Sequence, residues 1–413
     1  MKNSIKALLI SISLIMAYVT PSSACTSVII SSKATVSGKP LMMKHRDTGE
    51  LNNRIEYFKG TIYSFIGLVN SPSEGGEVWT GTNSAGFSIM NTASYNIKDD
   101  DVPEEMMDKE GELMFRALGI CATLSDFEKF LDNISKPYGV EANYGVIDAS
   151  GGAAYYEVNN STWVKYDVNE SERGYRVVTN FSESGRKEDY KGYERYLTAS
   201  AIMNDMYAEA EDGKMDVNPH DLFYNISRSY RHTLTGIDFL NDFNSLKKNY
   251  GFTGIIADQD FIPRKSTSAS IVVEGVKPGE DPLHTVMWTI LGYPACSVTV
   301  PLLVGDEDML PSFVKSTESS KNCPMCDFAL RIREKQIYGF NISNREEYID
   351  INPIMDLLHS CLMTESYLEE YWLEIYNKWI TGRMDFDSFK KEYSDICIKY
   401  YDSYLNHFTP FLQ

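Results

Sequence analysis

The most constraining feature of the sequence is a cysteine at the point where a leader segment is expected to be removed. Two lysines precede a mostly apolar run at residues 7–19, and the small residues Ser22 and Ala24 follow it. A basic start, a short apolar stretch and small residues before the cut are the pattern of a secretory signal peptide. We therefore predict that residues 1–24 are a signal peptide and that Cys25 begins an exported, periplasmic or secreted protein.

A cysteine at a new amino terminus has three possible fates. Lipidation would block both its thiol and its α-amine, but lipoproteins usually carry an aliphatic residue three before the cysteine, where this chain has Ser22. Catalysis is the second, because an α-amine with a pKa of about 7.7–8 can accept the proton of a thiol with a pKa of about 8.5. The third is a purely structural thiol.

The residues after Cys25 favour the nucleophile. Residues 25–30 are a β-rich run, residues 33–38 are typical of a turn, and residues 39–47 form a second β-rich run that ends in charged side chains. A lipoprotein normally has a polar, flexible tether after its cysteine. Here the cysteine begins a predicted hairpin, which would hold it in a core.

Composition and charge exclude several classes of protein. The 413-residue chain has 43% hydrophobic and 23% charged residues, close to the average of globular proteins and unlike a disordered or collagen chain. Its net charge of −19 repels nucleic acid. No later apolar run reaches the roughly 18 residues of a membrane-spanning helix. We therefore expect no nucleic acid and no integral membrane span, and the sequence leaves a homo-oligomer possible.

No motif for a cofactor or a metal stands out. Cys323 and Cys326 form a lone CxxC without a second pair at metal spacing, so a local disulfide or two unpaired thiols is expected there instead of zinc. A phosphate-binding loop, a dinucleotide fingerprint and an HExxH pair are all missing from the sequence. His232 and His284 lack any pattern that would pair them with a thiol. We expect no cofactor.

Five segments follow one another in an order that resembles a known family. They are Cys25-Thr26-Ser27 with the hairpin to Lys44-His45-Arg46-Asp47-Thr48, residues 81–93, residues 143–151, Val177-Val178-Thr179-Asn180 and Glu194-Arg195-Tyr196. Together they resemble the linear amide C–N hydrolases, which are cysteine N-terminal nucleophile (Ntn) hydrolases and include bile-salt hydrolases, penicillin V acylases and isopenicillin-N acyltransferases. The resemblance covers about residues 25–305.

The resemblance implies an α+β fold, a four-layer αββα sandwich of two antiparallel sheets with helices outside. The residue pattern agrees, because short β-rich runs recur on both sides of a helical stretch at residues 111–134. Beyond the hairpin, strands are predicted at residues 62–69, 78–80, 87–91, 144–148, 153–158, 176–179, 254–257, 268–273 and 284–290. We predict the Ntn-hydrolase domain over residues 25–308. Residues 309–413 are predicted to be a helical C-terminal extension, with the clearest helices at residues 363–379 and 385–404.

The resemblance also implies roles for the residues of the hairpin. Cys25 would be the nucleophile, and Asp47 occupies the family's position for an aspartate near the α-amine. The family pattern is R-x-x-D, whereas this chain has Lys44 three before the aspartate and Arg46 one before it. Either cation could fill the basic role, and the pattern favours Lys44 slightly. If the resemblance does not hold, Asp47 is a solvent-facing residue at a hairpin end.

Three further residues complete the candidate site. Asn91 and Asn180 match the family's two asparagines, whose amide N–H groups suit a developing oxyanion. Arg195 matches an arginine that supports the nucleophile. Without the resemblance, the two asparagines would be turn residues and Arg195 an exposed helical arginine.

The function that the resemblance implies is hydrolysis of a linear amide through an acyl-thioester on Cys25, with a small-molecule amide substrate as the partner. One alternative keeps the chemistry and ends in acyl transfer to an amine, as in the isopenicillin-N acyltransferases. The other is a non-catalytic exported lipoprotein or binding module. The acyl and amine groups of the substrate are not identified by the sequence.

Overall fold

Two antiparallel sheets form the centre of the computed structural model, which describes residues 24–258, 261–339 and 348–413. The predicted signal peptide lies outside the described residues except for Ala24. Numbered in chain order, the strands of the six-stranded sheet are β1 (Ala24–Ile30), β2 (Leu41–Asp47), β10 (Tyr175–Val178), β14 (Thr267–Glu274), β15 (Val286–Leu291) and β16 (Val300–Leu303), and they lie in the order β10-β1-β2-β14-β15-β16.

The second sheet has seven strands in sequential order. They are β3 (Asn53–Lys59), β4 (Ser64–Asn70), β5 (Thr80–Asn83), β6 (Ser88–Ala93), β7 (Ala142–Ile147), β8 (Ala153–Val158) and β9 (Trp163–Asp167). Two short ribbons pair β11 (Arg231–His232) with β12 (Ile237–Asp238) and β13 (Ile255–Ala257) with β17 (Tyr348–Asp350).

The two sheets pack face to face. Tyr155 of β8 donates its hydroxyl hydrogen to Ser27 Oγ of β1 at 3.0 Å, so Ser27 points between the sheets. Gly145 of β7 allows the sheets to approach closely, because a Cβ there would lie 3.1 Å from Ile29 Cδ1 and 2.6 Å from Met90 Cε. Strand β1 is buried along its whole length, as expected for a strand covered on both faces.

Helices cover both outer faces. They are α1 (Glu110–Ile120), α2 (Leu124–Asn133), α3 (Tyr193–Ala208), α4 (Pro219–Leu222), α5 (Phe243–Tyr250), α6 (Pro324–Gln336), α7 (Ile354–Ile380) and α8 (Phe386–Phe408), with a π-helical turn at Phe223–Ser227. Helices α1 and α2 pack on the seven-stranded sheet through a core that includes Phe127 and Tyr156. Helix α3 and the π-helical turn pack on the six-stranded sheet. The predicted αββα architecture and the helical C-terminal region are confirmed.

Helix α8 lies along the edge of the six-stranded sheet. Three buried tyrosine hydroxyls of α8 donate hydrogen bonds of 2.7 Å to backbone carbonyls of β16 and of the segment before it; the pairs are Tyr393 with Pro301, Tyr400 with Thr299 and Tyr404 with Cys296. Side chains from both sides of residue 308 share one hydrophobic cluster. The boundary predicted at 308 and 309 stays a prediction.

A buried ion pair joins α7 to the sandwich. Arg228 follows the π-helical turn, and its guanidinium forms two hydrogen bonds of 2.9 and 2.7 Å with the Glu365 carboxylate of α7. Arg228 also donates to the carbonyls of Pro294 and Ser297, and Glu365 accepts from the backbone N–H of Thr299. Such a pair specifies one docking position for α7, because either partner alone would be an uncompensated buried charge.

We expect Glu365→Ala to lower the free energy of unfolding by about 3–5 kcal/mol, the usual cost of removing one partner from a buried ion pair. Glu374→Ala is a control from the same helix, since Glu374 pairs with Lys378 on the exposed surface at 2.5 Å. Exposed pairs contribute little. Chemical denaturation followed by circular dichroism measures both variants, and equal unfolding midpoints would contradict the assigned role of Arg228–Glu365.

The seven cysteines are all free and buried. Of the two alternatives for Cys323 and Cys326, the structure has the two unpaired thiols; Cys323 lies at the N-cap of α6 and its Sγ accepts a hydrogen bond from the backbone N–H of Cys326 at 3.4 Å. Among the described residues, no helix is both long and apolar enough to cross a membrane.

Candidate active site

All six residues predicted for the site lie at one end of the two sheets. Cys25 and the pair Lys44 and Asp47 are on the adjacent strands β1 and β2, while Asn91 comes from the facing sheet on β6. Asn180 lies two residues after the end of β10, and Arg195 lies in the first turn of α3. Each of the six side chains is buried. The predicted grouping is therefore present in space, whereas the role of each residue stays a prediction.

The register of β1 and β2 sorts these side chains onto two faces. Cys25 lies opposite Arg46 and Ser27 opposite Lys44, so these four side chains share the face between the sheets. Asp47 lies opposite Ala24 on the other face, towards the helices. The Cys25 thiol thus shares its face of the sheet with Lys44 and Arg46, and the Asp47 carboxylate lies on the opposite face.

Asn180 and Arg195 hold the backbone of Cys25. The Asn180 Oδ1 atom accepts from the Cys25 backbone N–H at 2.9 Å and from Arg195 Nη2 at 2.7 Å. Arg195 Nη1 donates to the Cys25 carbonyl at 2.6 Å. The orientation of the Asn180 amide is fixed by these partners, since both are donors and its Nδ2 donates to the Ala93 carbonyl at 3.0 Å. Arg195 is a buried site residue and not an exposed helical arginine.

We expect Asn180→Ala to lower kcat by a factor of about 10²–10³, the usual cost of losing one oxyanion donor, with a smaller change in KM. Asn180→Asp separates two roles, because aspartate keeps the oxygen that faces Cys25 and Arg195 and loses the N–H donor. Equal losses in both variants would indicate the oxyanion role. A near-normal Asn180→Asp would indicate that Asn180 orients the Cys25 backbone nitrogen, and a kcat within about threefold in Asn180→Ala, far below that cost, would contradict both.

Lys44 connects the two sheets beside the thiol. Its Nζ donates to Asn91 Oδ1 on β6 of the facing sheet at 2.6 Å and to the carbonyl of Trp79, just before β5 of that sheet, at 2.5 Å. An ammonium group only donates, so the oxygen of the Asn91 amide must face it and the amide N–H groups must point elsewhere. Lys44 therefore fixes which end of Asn91 is available to a substrate oxygen.

Arg46 makes a different set of contacts on the same face. Its Nη2 donates to Asn70 Oδ1 at 2.8 Å, its Nη1 donates to Ser268 Oγ at 3.3 Å, and the guanidinium lies 5.1 Å from the centre of the Trp79 ring. Of the two cations, Lys44 is the one bonded to a predicted site residue. This contact favours Lys44 for the basic role, which stays a prediction.

Burial controls the charges in this part of the site. It lowers the pKa of Lys44 to about 7, against an opposing electrostatic effect of Cys25, and it lowers the pKa of Arg46 to about 10. Burial raises the pKa of Glu110, at the start of α1, to about 7. The negative charge of Glu110 in turn opposes the effect of burial on Lys44 and raises its pKa.

Asp47 has partners that the sequence did not indicate. Its Oδ1 accepts from Thr267 Oγ1 at 2.7 Å, its Oδ2 accepts from Arg264 Nε at 2.8 Å, and His45 Nε2 lies 3.4 Å from Oδ1. Burial would raise the pKa of Asp47, but Arg264 and then His45 outweigh it and bring the pKa to about 2. Asp47 is thus a carboxylate, not a carboxylic acid, at any pH near neutrality.

A cavity of about 410 Å³ opens at this end of the molecule. It lies between the segments that follow β6 and β10, and its walls include Ala24, Tyr95, Asn180, Lys191, Arg195 and Arg264. Since Asn180 and Arg195 also contact Cys25, the cavity adjoins the nucleophile on its amino-terminal side. No group of histidine, cysteine, aspartate and glutamate side chains suited to a metal ion occurs in the described part of the chain.

Comparisons with known proteins were made by family, by sequence and by structure. No family model matches the chain, and no curated protein matches it by sequence. Several solved structures match the chain by their fold. An N-acylethanolamine-hydrolyzing acid amidase ortholog from Caenorhabditis elegans has 16% identity and a TM-score of 0.39, covering 62% of this chain and 93% of that one.

Two bacterial structures are similar to a comparable degree. A mutant of the conjugated bile acid hydrolase from Clostridium perfringens has 11% identity and a TM-score of 0.35, covering 65% of this chain and 89% of its own. The penicillin V acylase from Agrobacterium tumefaciens has 13% identity and a TM-score of 0.34, covering 68% and 84%. At such values the likeness assigns no residue of this chain a role.

Proposed function

We propose that the mature chain is a cysteine Ntn hydrolase that cleaves linear, non-ring amides after export. The observation that carries the proposal is the pair of contacts on Cys25, whose backbone nitrogen faces Asn180 Oδ1 and whose carbonyl accepts from Arg195. Removal of residues 1–24 would turn that held nitrogen into an α-amine. Nucleophile and base would then belong to one immobilised residue, which is what intramolecular activation requires.

The reaction follows from these groups. Cys25 Sγ attacks the amide carbon while the α-amine takes the thiol proton, and the negative charge that develops on the amide oxygen needs N–H donors, for which Asn91 and Asn180 are the candidates. The α-ammonium then protonates the leaving nitrogen as the C–N bond breaks. Water attacks the resulting thioester and releases the acid, which restores the thiol and the amine.

In this proposal Asp47 orients the amine. Ala24 is its partner in the strand register, so cleavage before Cys25 would remove Ala24 and leave the new amine beside the carboxylate. Because the pKa of Asp47 is about 2, the carboxylate stays charged throughout the working range and does not itself exchange protons. An adjacent anion favours the protonated amine, which helps the step in which the leaving nitrogen receives its proton.

The proposal is tested with purified mature protein and a panel of amides. N-acyl amino acids, dipeptides, a penicillin and a conjugated bile salt are each assayed for release of the free amine, or of the acid from the penicillin, with and without an added acceptor amine. Hydrolysis of at least one amide without the acceptor supports the proposal. Product that forms only with the acceptor indicates acyl transfer, and no reaction with any amide contradicts an amide hydrolase.

The mass of the mature amino terminus is the second test. A chain that begins with unmodified Cys25 supports export and the mechanism together. An increase of several hundred daltons on Cys25 indicates a lipoprotein. A chain that begins at Met1 or after Cys25 contradicts the proposed nucleophile.

A further inference from the structure

A row of buried polar side chains lies on the face of the six-stranded sheet opposite the thiol. His45 of β2 is fully buried, and its Nδ1 lies 3.2 Å from Ser270 Oγ of β14. Ser270 Oγ lies 2.6 Å from Ser227 Oγ, at the end of the π-helical turn. The imidazole is therefore held at Nδ1 by the Ser270 hydroxyl, which is held in turn by the Ser227 hydroxyl.

The other ring nitrogen of His45 faces the carboxylate of Asp47. His45 Nε2 lies 3.1 Å from Thr267 Oγ1 and 3.4 Å from Asp47 Oδ1. The Thr267 hydroxyl gives its single proton to Asp47 Oδ1 at 2.7 Å, and it accepts from the Arg264 backbone N–H at 3.0 Å. The ring must then be the donor, so His45 carries a hydrogen on Nε2.

An irregularity in β14 makes this arrangement possible. The register of β14 against β2 shifts between Thr267 and Ala269, so that Thr267 pairs with Asp47 and Ser270 with His45. A bulge of this kind re-aims the side chains beside it. Thr267 turns to the face of Asp47, and Ser268 Oγ receives Arg46 Nη1 on the opposite face at 3.3 Å.

We propose that His45 is a positioning residue, which through its Nε2 hydrogen fixes the Asp47 carboxylate that orients the α-amine of Cys25. The inference rests on the proposed function. His45 Nε2 lies 3.4 Å from one carboxylate oxygen, to which Thr267 also donates, and Arg264 holds the other oxygen. A carboxylate held at both oxygens cannot rotate, so its distance from the amine is set before substrate arrives.

Two cations from other elements also act on this carboxylate. Arg264 precedes β14 and Arg195 comes from α3, and both lower the pKa of Asp47. Without the imidazole, Thr267 and Arg264 would still hold the carboxylate, but it would be less firmly fixed beside the amine. The amine would then interact less strongly with the Asp47 carboxylate, so the pKa of the amine would fall. The acidic limb of the pH profile of kcat/KM, which reports the free base, would therefore move to lower pH.

The test compares His45→Phe, which removes both ring nitrogens, with His45→Gln, which keeps an N–H donor of similar reach. We expect His45→Phe to lower kcat by about tenfold with KM nearly unchanged, and His45→Gln to restore most of it, since neighbours in one network couple by amounts of this size. We also expect the acidic limb of His45→Phe to move to lower pH. Thermal unfolding of each variant checks that the protein is folded.

Asp47→Asn provides the decisive comparison. If His45 acts through Asp47, adding His45→Phe to Asp47→Asn causes little further loss of kcat. Losses of kcat that multiply in the double variant would overturn the proposal. An acidic limb that does not move in folded His45→Phe would also overturn it, as would a folded His45→Gln that does not restore kcat. Wild-type rates in Asp47→Asn, or in Cys25→Ala, would instead contradict the proposed function.

Discussion

Cys25→Ala is expected to have no amide hydrolase activity and a native fold. The substitution removes only the sulfur, and the backbone nitrogen and carbonyl of residue 25 keep their bonds to Asn180 and Arg195. Cys25→Ser keeps the size and the α-amine but provides a much weaker nucleophile, so we expect a large loss of rate there as well. Activity towards the best amide of the panel and thermal unfolding are measured for both.

Cys397→Ala is the matched control for Cys25→Ala. Cys397 is a buried thiol in α8, remote from the site residues, so its loss should leave kcat unchanged. Burial also raises the pKa of Cys397 to about 12, which makes it unreactive as a thiolate. Full activity in Cys25→Ala would falsify the proposed nucleophile.

A chain that keeps one residue before Cys25 is expected to lose nearly all activity. Its nitrogen at residue 25 is a peptide amide, which cannot accept the thiol proton, whereas the fold and the thiol are unchanged. General base catalysis contributes a factor of about 10²–10⁴, so we expect a loss of this order. Two preparations that begin at Ala24 and at Cys25, each checked by mass, give the comparison.

The opposite outcome would be informative about Lys44. If the protein that begins at Ala24 is as active as the one that begins at Cys25, the α-amine is not the base. Lys44 shares the face of the thiol, and its pKa of about 7 would allow it to accept a proton near neutrality. Lys44→Arg, which keeps the charge and cannot serve as a base, would then be the inactive variant.

Local patterns in the sequence were enough to predict much of the sandwich. Strand β8 (Ala153–Val158) matches its predicted bounds, and α7 and α8 include the two predicted C-terminal helices. The helical stretch predicted at residues 111–134 is two helices instead. Thr123 caps α2 in a reciprocal pair of hydrogen bonds with Asp126, which stops α1 before it reaches this point.

The strands that were missed have weak local signals. Strand β3 (Asn53–Lys59) contains three charged residues, and β16 contains Pro301, which usually argues against a strand. Pro301 is tolerated because β16 is an edge strand. Tertiary pairing decided both cases, and a single sequence does not show it.

The same limit applies to the candidate site. The hairpin brought Cys25 and Asp47 together on adjacent strands, which the spacing predicted. Arg264 and Thr267 are more than 200 positions from Asp47, and only the pairing of β14 with β2 brings them to it. His45 was within the recognised segment, but its importance depends on these distant partners.

The position of α8 limits how this protein can associate with other chains. Helix α8 covers the outer edge of β16: the Pro301 carbonyl and the Thr299 carbonyl just before the strand are already bonded to Tyr393 and Tyr400, and Pro301 has no N–H to offer an incoming strand. This edge of the sheet therefore cannot template a further strand, whether from a second copy or from a misfolded one. The helical extension thus protects the sandwich against growth into aggregates at that edge.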